Sequence, residues 1–212
     1  MNIVLIGASG YVGSALLKEA LARGHRVTAV VSNPAKLAAQ PGLEIVKADV
    51  LDSAALAPRL QGHDAVVSAF SGHAQAEVYG YYVQGMRSII AAAKQARVPR
   101  LLVVGGAGSL EVAPGVQLVD TPEFPAQWKG TAEGAREALQ LLRAEPDLAW
   151  TMLSPSAHLE PGERTGRFRL GTDQLLVDAR GESCISVEDY AVAMIDELER
   201  PAHARRRFTV GY

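Results

Sequence analysis

Short apolar runs recur along the chain, each separated from the next by a stretch of helical length. Residues 3–6, 27–31, 65–67 and 101–104 are compact and rich in β-branched side chains. None alternates between apolar and polar positions, so each is expected to be buried on both faces, as strands of a parallel sheet are. Residues 44–46 form a weaker run of the same kind and 150–153 a sixth. The intervening segments 11–23, 52–60, 76–97 and 130–144 read as helices. In the longest, Val78, Tyr82, Met86, Ile89, Ile90 and Ala93 keep to one face. Gly24, Gly62 and Pro99 stand just past helix ends, where a stop is expected. This strand–helix repetition predicts an α/β fold with a doubly wound parallel sheet.

After residue 154 the pattern changes. Pro155, Pro161, Gly162, Gly166 and Gly171 crowd together, followed by strand-like 174–178 and 184–187. A helix over 187–200 stops before Pro201, and 207–210 suits a closing strand. This tail is too short for a core of its own. The expectation is therefore one domain over 1–212, with 155–186 as a small, flexible cap or lid over the carboxyl edge of the sheet, where such folds bind ligands. The 212 residues are 48% hydrophobic and 21% charged with a formal net charge of −2. That balance supports a packed core and lacks the electrostatic footprint of a partner for nucleic acid or an anionic membrane. Cys184 is the single cysteine, so neither an internal disulfide nor a cysteine-based zinc site is expected, and it reads as a small core residue. No metal site is expected. The first residues lack a basic stretch, and no apolar run approaches a membrane span, so the expected location is cytoplasmic.

The sharpest local feature is Gly7-Ala8-Ser9-Gly10-Tyr11-Val12-Gly13, directly after the first strand and opening the first helix. In such a loop the first glycine permits a tight turn, the second lets backbone approach a pyrophosphate, and the third lets helix pack on strand. The helix N-terminus then offers free N–H groups to phosphate. The spacing is G-x-x-G-x-x-G, and its place between strand and helix points to a dinucleotide. After the second strand, where an acidic residue would hold the ribose 2′-hydroxyl of NAD, the chain reads Ser32-Asn33-Pro34-Ala35-Lys36. A 2′-phosphate would meet no repulsion there, and Ser32, Asn33 and Lys36 could donate to it. The expectation leans to NADP(H) over NAD(H). Asp49, after the third strand, either faces an adenine edge or caps its own loop.

With these residues in view, the chain resembles the atypical short-chain dehydrogenase/reductase superfamily, in its NmrA-like, NAD(P)H-binding branch of NADH-flavin reductase type. GASGYVGSAL, VSNPAKL and KADVLD follow the superfamily pattern in order. RLLVVGGAGSLEVAPG, LSPSAHLEPGERTG and ISVEDYAVAMIDELE are more particular to the reductase-like subgroup. The resemblance covers essentially the whole length and implies a Rossmann-type doubly wound sheet with a small C-terminal substrate cap. It implies adenine near Asp49 and Val50, and the nicotinamide ribose near Ala69, Phe70 and Gly105. Many relatives carry arginine at the position of Ser32 as the 2′-phosphate partner; its absence here counts against NADP, and whether Lys36 replaces it is left open.

The best-known members of that superfamily use Tyr-x-x-x-Lys to pass a proton. Here Tyr11, Tyr79, Tyr81, Tyr82 and Tyr190 are followed four residues on by Ala15, Val83, Gly85, Met86 and Met194, so the motif is absent. Reduction of a flavin or quinone needs none, because hydride passes between stacked rings and the protein orients them. The implied partner is a planar small-molecule acceptor, with FMN or FAD as substrate and not as a prosthetic group. A nucleotide-sensing regulatory protein without turnover fits the same absence, and monomer and homodimer both remain open. Ser109 is either a substrate-facing hydroxyl or a loop hydroxyl bonded to backbone. Lys129 is a remnant of the catalytic lysine or a solvated helix-start charge. His73 is placed on a loop bordering the cofactor, and His158 on the wall of an acceptor pocket. Trp128 and Phe124 stack on a ring or pack at the surface. The run Arg205-Arg206-Arg207 reads as a solvated segment leading into an edge strand.

Overall fold

A computed structural model describes residues 1–73 and 75–212. In chain order the elements are β1 (Asn2–Ile6), α1 (Tyr11–Ala22), β2 (Arg26–Val31), β3 (Leu43–Lys47), α2 (Ser53–Leu60), β4 (Ala65–Ser68), α3 (Val78–Gln95) and β5 (Leu101–Val104). Then follow β6 (Glu111–Ala113), β7 (Val116–Gln117), α4 (Ala126–Arg143), β8 (Trp150–Ser154), β9 (His158–Glu160), β10 (Arg169–Gly171), β11 (Cys184–Ser186), α5 (Val187–Glu199) and β12 (Arg206–Gly211). Eight strands form the main sheet in the order β10-β12-β8-β5-β4-β1-β2-β3. All pairings in it are parallel except that of β10 on β12. The chain winds outward from β1 to β3, then crosses back to β4 and winds the other way. This is the Rossmann-like doubly wound order, and its reversal between β1 and β4 opens a crevice at the carboxyl ends of the strands.

The missing alternation in the strand runs has a direct cause. Val4 and Ile6 of β1 join a core with Leu56, Met86, Ile89 and Leu139 from α2, α3 and α4. Ile3 and Leu5 join the opposite core with Leu16, Leu17, Tyr190 and Met194 from α1 and α5. Both faces of the strand are covered, so every position is apolar. The helix starts are set by capping. The Asp52 side chain accepts from the Ala55 N–H and that of Ser186 from the Asp189 N–H, each satisfying a donor the helix leaves open.

Several expectations are corrected. Helix α4 starts at Ala126, four residues ahead of Gly130, because that glycine lies inside the helix facing Val78 of α3 and does not bound it. Residues 174–178 make no strand. A single bridge joins Gln174 to Glu111, and the Asp178 carboxylate takes the N–H groups of Arg180 and Glu182 to close a loop. The arginine run does not lead into an edge strand: β12 lies inside the sheet, between β8 and β10, and Arg207 is buried. Nor does the Gly/Pro-rich span hang free as a lid. The Gly162 N–H donates to Glu188, the Thr165 hydroxyl and Gly166 N–H to Asp189, and the Ser186 hydroxyl to the Glu163 carbonyl. Arg164 forks onto Glu19 of α1, with Nε and Nη2 each 2.7 Å from a carboxylate oxygen.

Candidate nucleotide site

The loop between β1 and α1 is shaped by two glycines. Gly7 has φ +80°, and a Cβ there would stand 2.7 Å from the Ala69 carbonyl oxygen at the end of β4. A side chain at Gly13 would drive into the Gly7 backbone. Gly10 differs: its φ of −82° suits any residue, and a Cβ would meet only the Gly7 carbonyl oxygen at 3.3 Å. The side of Gly10 left bare is thus open. No side chain caps α1 there and no acidic residue stands in its first turn, so its N–H groups point outward without competition from a carboxylate. A pyrophosphate fits these residues.

In front of the loop lies a cleft of about 750 Å³ across the ends of β1, β2, β3 and β4. It gathers Gly7, Ser9, Gly10, Ser32, Lys36, Asp49, Val50, Ala69 and Phe70, nine of the residues singled out from sequence. Ala8 is fully buried beside it and Val12 half-buried against the α1–α5 core. The Asn33 side chain is used to accept from the Ala35 N–H, capping a short turn. One oxygen of Asp49 accepts from the Leu51 N–H at 2.9 Å, so the loop role is filled while the carboxylate still lines the cleft. Lys47, Ser71, Gln75 and Tyr81 also line it and escaped the sequence reading. Lys47 gave no signal in the sequence: it ends β3, and only the parallel register sets it opposite Val31. Phe70 forms an aromatic wall with Tyr81 and Tyr82, at ring separations of 5.5 and 5.9 Å. Burial pushes the Tyr82 phenol well up.

Beyond the cleft the geometry is different. Gly105 is half-exposed after β5, its N–H bonded to the Leu153 carbonyl. The Ser109 hydroxyl is buried, 3.3 Å from Arg207 Nη1, and faces no open space. Arg207 also reaches Ser154 and binds the Asp173 carboxylate, with Nε at 2.9 Å. Lys129 and Trp128 are exposed on the first turn of α4. His73 lies edge-on to Trp128 at 5.8 Å and within 3.3 Å of the Thr131 hydroxyl, with partial desolvation lowering its pKa. His158 is exposed on β9 beside Glu160. Its neighbour Leu159 accepts a hydrogen bond from the Tyr11 hydroxyl at 3.2 Å, which ties the glycine loop to the span 155–186. The structure therefore brings nine of the expected nucleotide residues to one cleft, leaves Gly105 outside its lining, and puts His73 against the α4 turn that carries Lys129, while Ser109 is bonded to Arg207 and His158 is exposed on β9. A second hollow, of about 410 Å³, lies at the amino ends of β1–β3, away from the glycine loop, and the Thr28 hydroxyl there bonds to both Glu44 and His63.

A sequence profile described as NAD(P)H-binding matches residues 7–201. The chain belongs to the NAD(P)H-binding family. Within it and the atypical short-chain dehydrogenase/reductase superfamily, the chain is 46% identical over 213 residues to YwnB, an uncharacterized protein of Bacillus subtilis, covering 99% of this chain and 98% of that one. The structure of a provisionally named epimerase from Bacteroides thetaiotaomicron is 48% identical, with a TM-score of 0.93 and coverage of 100% and 96%. That of a provisionally named NADH-flavin reductase from Streptococcus pneumoniae is 34% identical, with a TM-score of 0.83 and coverage of 100% and 99%.

Proposed function

We propose that this NAD(P)H-binding protein is a reductase that passes hydride from NADPH, in preference to NADH, to a flavin, quinone or similar planar acceptor. The observation that carries the reading is the cleft built on Gly7–Gly13, in a chain without Tyr-x-x-x-Lys and with the Ser109 hydroxyl engaged by Arg207. Bound reduced nicotinamide supplies a hydride, and a flavin accepts it without a side-chain acid at the reacting atom. What the chain itself contributes is placement. The first turn of α1 holds the phosphates, Gly7 and Ala69 bring backbone close beneath the ribose, and Phe70 closes the wall. Ser32 follows β2 without a carboxylate, which supports the 2′-phosphorylated nucleotide. Trp128 and His73 form an exposed aromatic edge against which a flat acceptor can lie. Partial desolvation lowers the His73 pKa and so favours the neutral ring at that edge. The span 155–186, joined to the loop through Tyr11, serves as the cap. Likeness to the Streptococcus pneumoniae protein supports the flavin, and reliance on reduced nucleotide supports a cytoplasmic location.

The test is a titration of purified protein with NADPH and NADH, followed by FMN and a soluble quinone in the same cuvette. Saturable binding and then loss of the reduced-nicotinamide signal are expected. No turnover above background across the panel would overturn the reductase. Nucleotide binding with a stable signal would instead favour the second reading, a redox sensor. The engaged Ser109 favours that one too, and it requires a protein partner recovered in only one redox state.

A further inference from the structure

We infer that Lys47, at the end of β3, is the residue that selects a 2′-phosphorylated dinucleotide, acting with Lys36 across the mouth of the cleft; this rests on the nucleotide reading above. The parallel register sets Lys47 opposite Val31, the last residue of β2, so its side chain starts one strand away from Ser32. Lys36 approaches from the other side, at the end of the short turn Pro34–Lys36. Both line the cleft, with Ser32 between them.

The two lysines are set apart from the other cations by their place: among the described residues that line the cleft, they are the two that carry a positive charge. Arg23, Arg100, Arg136, Arg143, Arg164 and Arg207 each hold a carboxylate, and Lys94 holds Glu145. Among the described residues Lys36 and Lys47 join no ion pair, although Asp49 lines the same cleft with one oxygen engaged by the Leu51 N–H. Two unneutralised ammonium groups thus stand beside the spot where the first ribose must lie if phosphate sits on the first turn of α1. A lysine binds phosphate as a point charge with three donors and needs no fixed geometry. A ribose diol offers it only weak hydrogen bonds. The extra phosphate of NADPH carries close to two negative charges near neutral pH, so the pair discriminates through charge.

The experiment measures affinities of the full chain for NADPH, NADH, 2′,5′-ADP and 5′-AMP at two salt concentrations, with Lys47→Gln, Lys47→Arg and Lys36→Gln alongside. Lys47 is exposed, so the variants should melt with the parent. The expected result is that Lys47→Gln weakens NADPH and 2′,5′-ADP about tenfold, close to 1.4 kcal/mol, while NADH and 5′-AMP stay within about twofold. Lys47→Arg should restore most of the loss. Added salt should weaken NADPH more steeply than NADH in the parent, and the gap should narrow in Lys47→Gln, where Lys36 alone remains. An equal loss for all four ligands, or no loss for any, would overturn the assignment. A reductase assay that fails while these affinities behave as stated would overturn the proposed reaction and leave Lys47 standing. Absence of binding by every ligand would overturn both.

Discussion

At the scale of single residues, the glycine loop separates two kinds of constraint that look identical in sequence. Gly13 faces the Gly7 backbone, and Gly7 itself lies at positive φ against the Ala69 carbonyl, so a side chain at either position strikes the protein. Gly10 faces outward at an ordinary φ. Replacing Gly10 by valine should therefore leave the melting temperature within a few degrees and abolish nucleotide binding, by standing where a phosphate must approach. Gly13→Ala should lower stability by about 2 kcal/mol or more through overpacking, read from urea unfolding. The glycine spacing was legible in the sequence because the loop is local. Lys47 was not, because its relation to Ser32 exists only once β2 and β3 pair. Ser109 was misleading for the same reason: a polar side chain after a strand looks available until Arg207, ninety-eight positions away, is seen bonded to it.

At the scale of elements, helix α1 is held at both ends. Its first turn carries the open N–H groups and Tyr11, which reaches Leu159; its third turn carries Glu19, which receives the fork of Arg164 and the Nε of Arg23. Arg164, and after it Arg23, hold the Glu19 carboxyl down to about 2 against the opposing effect of its burial. A carboxyl lowered by folding contributes stability that is complete above its ordinary value near 4.5 and disappears as pH falls toward 2. Allowing for the exposed side of Arg164, the contribution is on the order of 2 kcal/mol. Glu19→Gln should thus lower the melting temperature at pH 7 and flatten its decline between about pH 4.5 and 2, measured by calorimetry across that range. The composition of 155–171 suggested looseness, since proline and glycine favour irregular backbone. What fixes the segment is a set of carboxylates on α1 and α5, distant in sequence, that take its N–H, hydroxyl and guanidinium groups.

At the scale of the whole molecule, the strands, their parallel sense and the two-sided core were readable, because a strand covered on both faces cannot alternate. The strand order beyond β5 was not. Residues 206–211 look terminal and basic, yet they supply an interior strand with β8 on one side and β10 on the other. Arg207 tolerates burial there because Asp173, Ser109 and Ser154 engage its guanidinium. Arg207→Leu should lower stability by roughly 2–4 kcal/mol, as for a buried group whose partners are left behind. Removing 206–212 should leave no cooperative unfolding transition in circular dichroism, where trimming a frayed tail would leave it intact.

The position of β12 also bears on how the chain is made. The crevice strands β1 to β4 lie within the first 68 residues and leave the ribosome early, whereas β8 cannot be covered on its outer side until residues 206–211 have emerged. Until then the growing chain carries a bare apolar strand edge, a template for pairing with a neighbour. A stalled or prematurely ended polypeptide is left in that state, and a bulky fusion placed directly after Gly211 would crowd the one strand that completes the sheet.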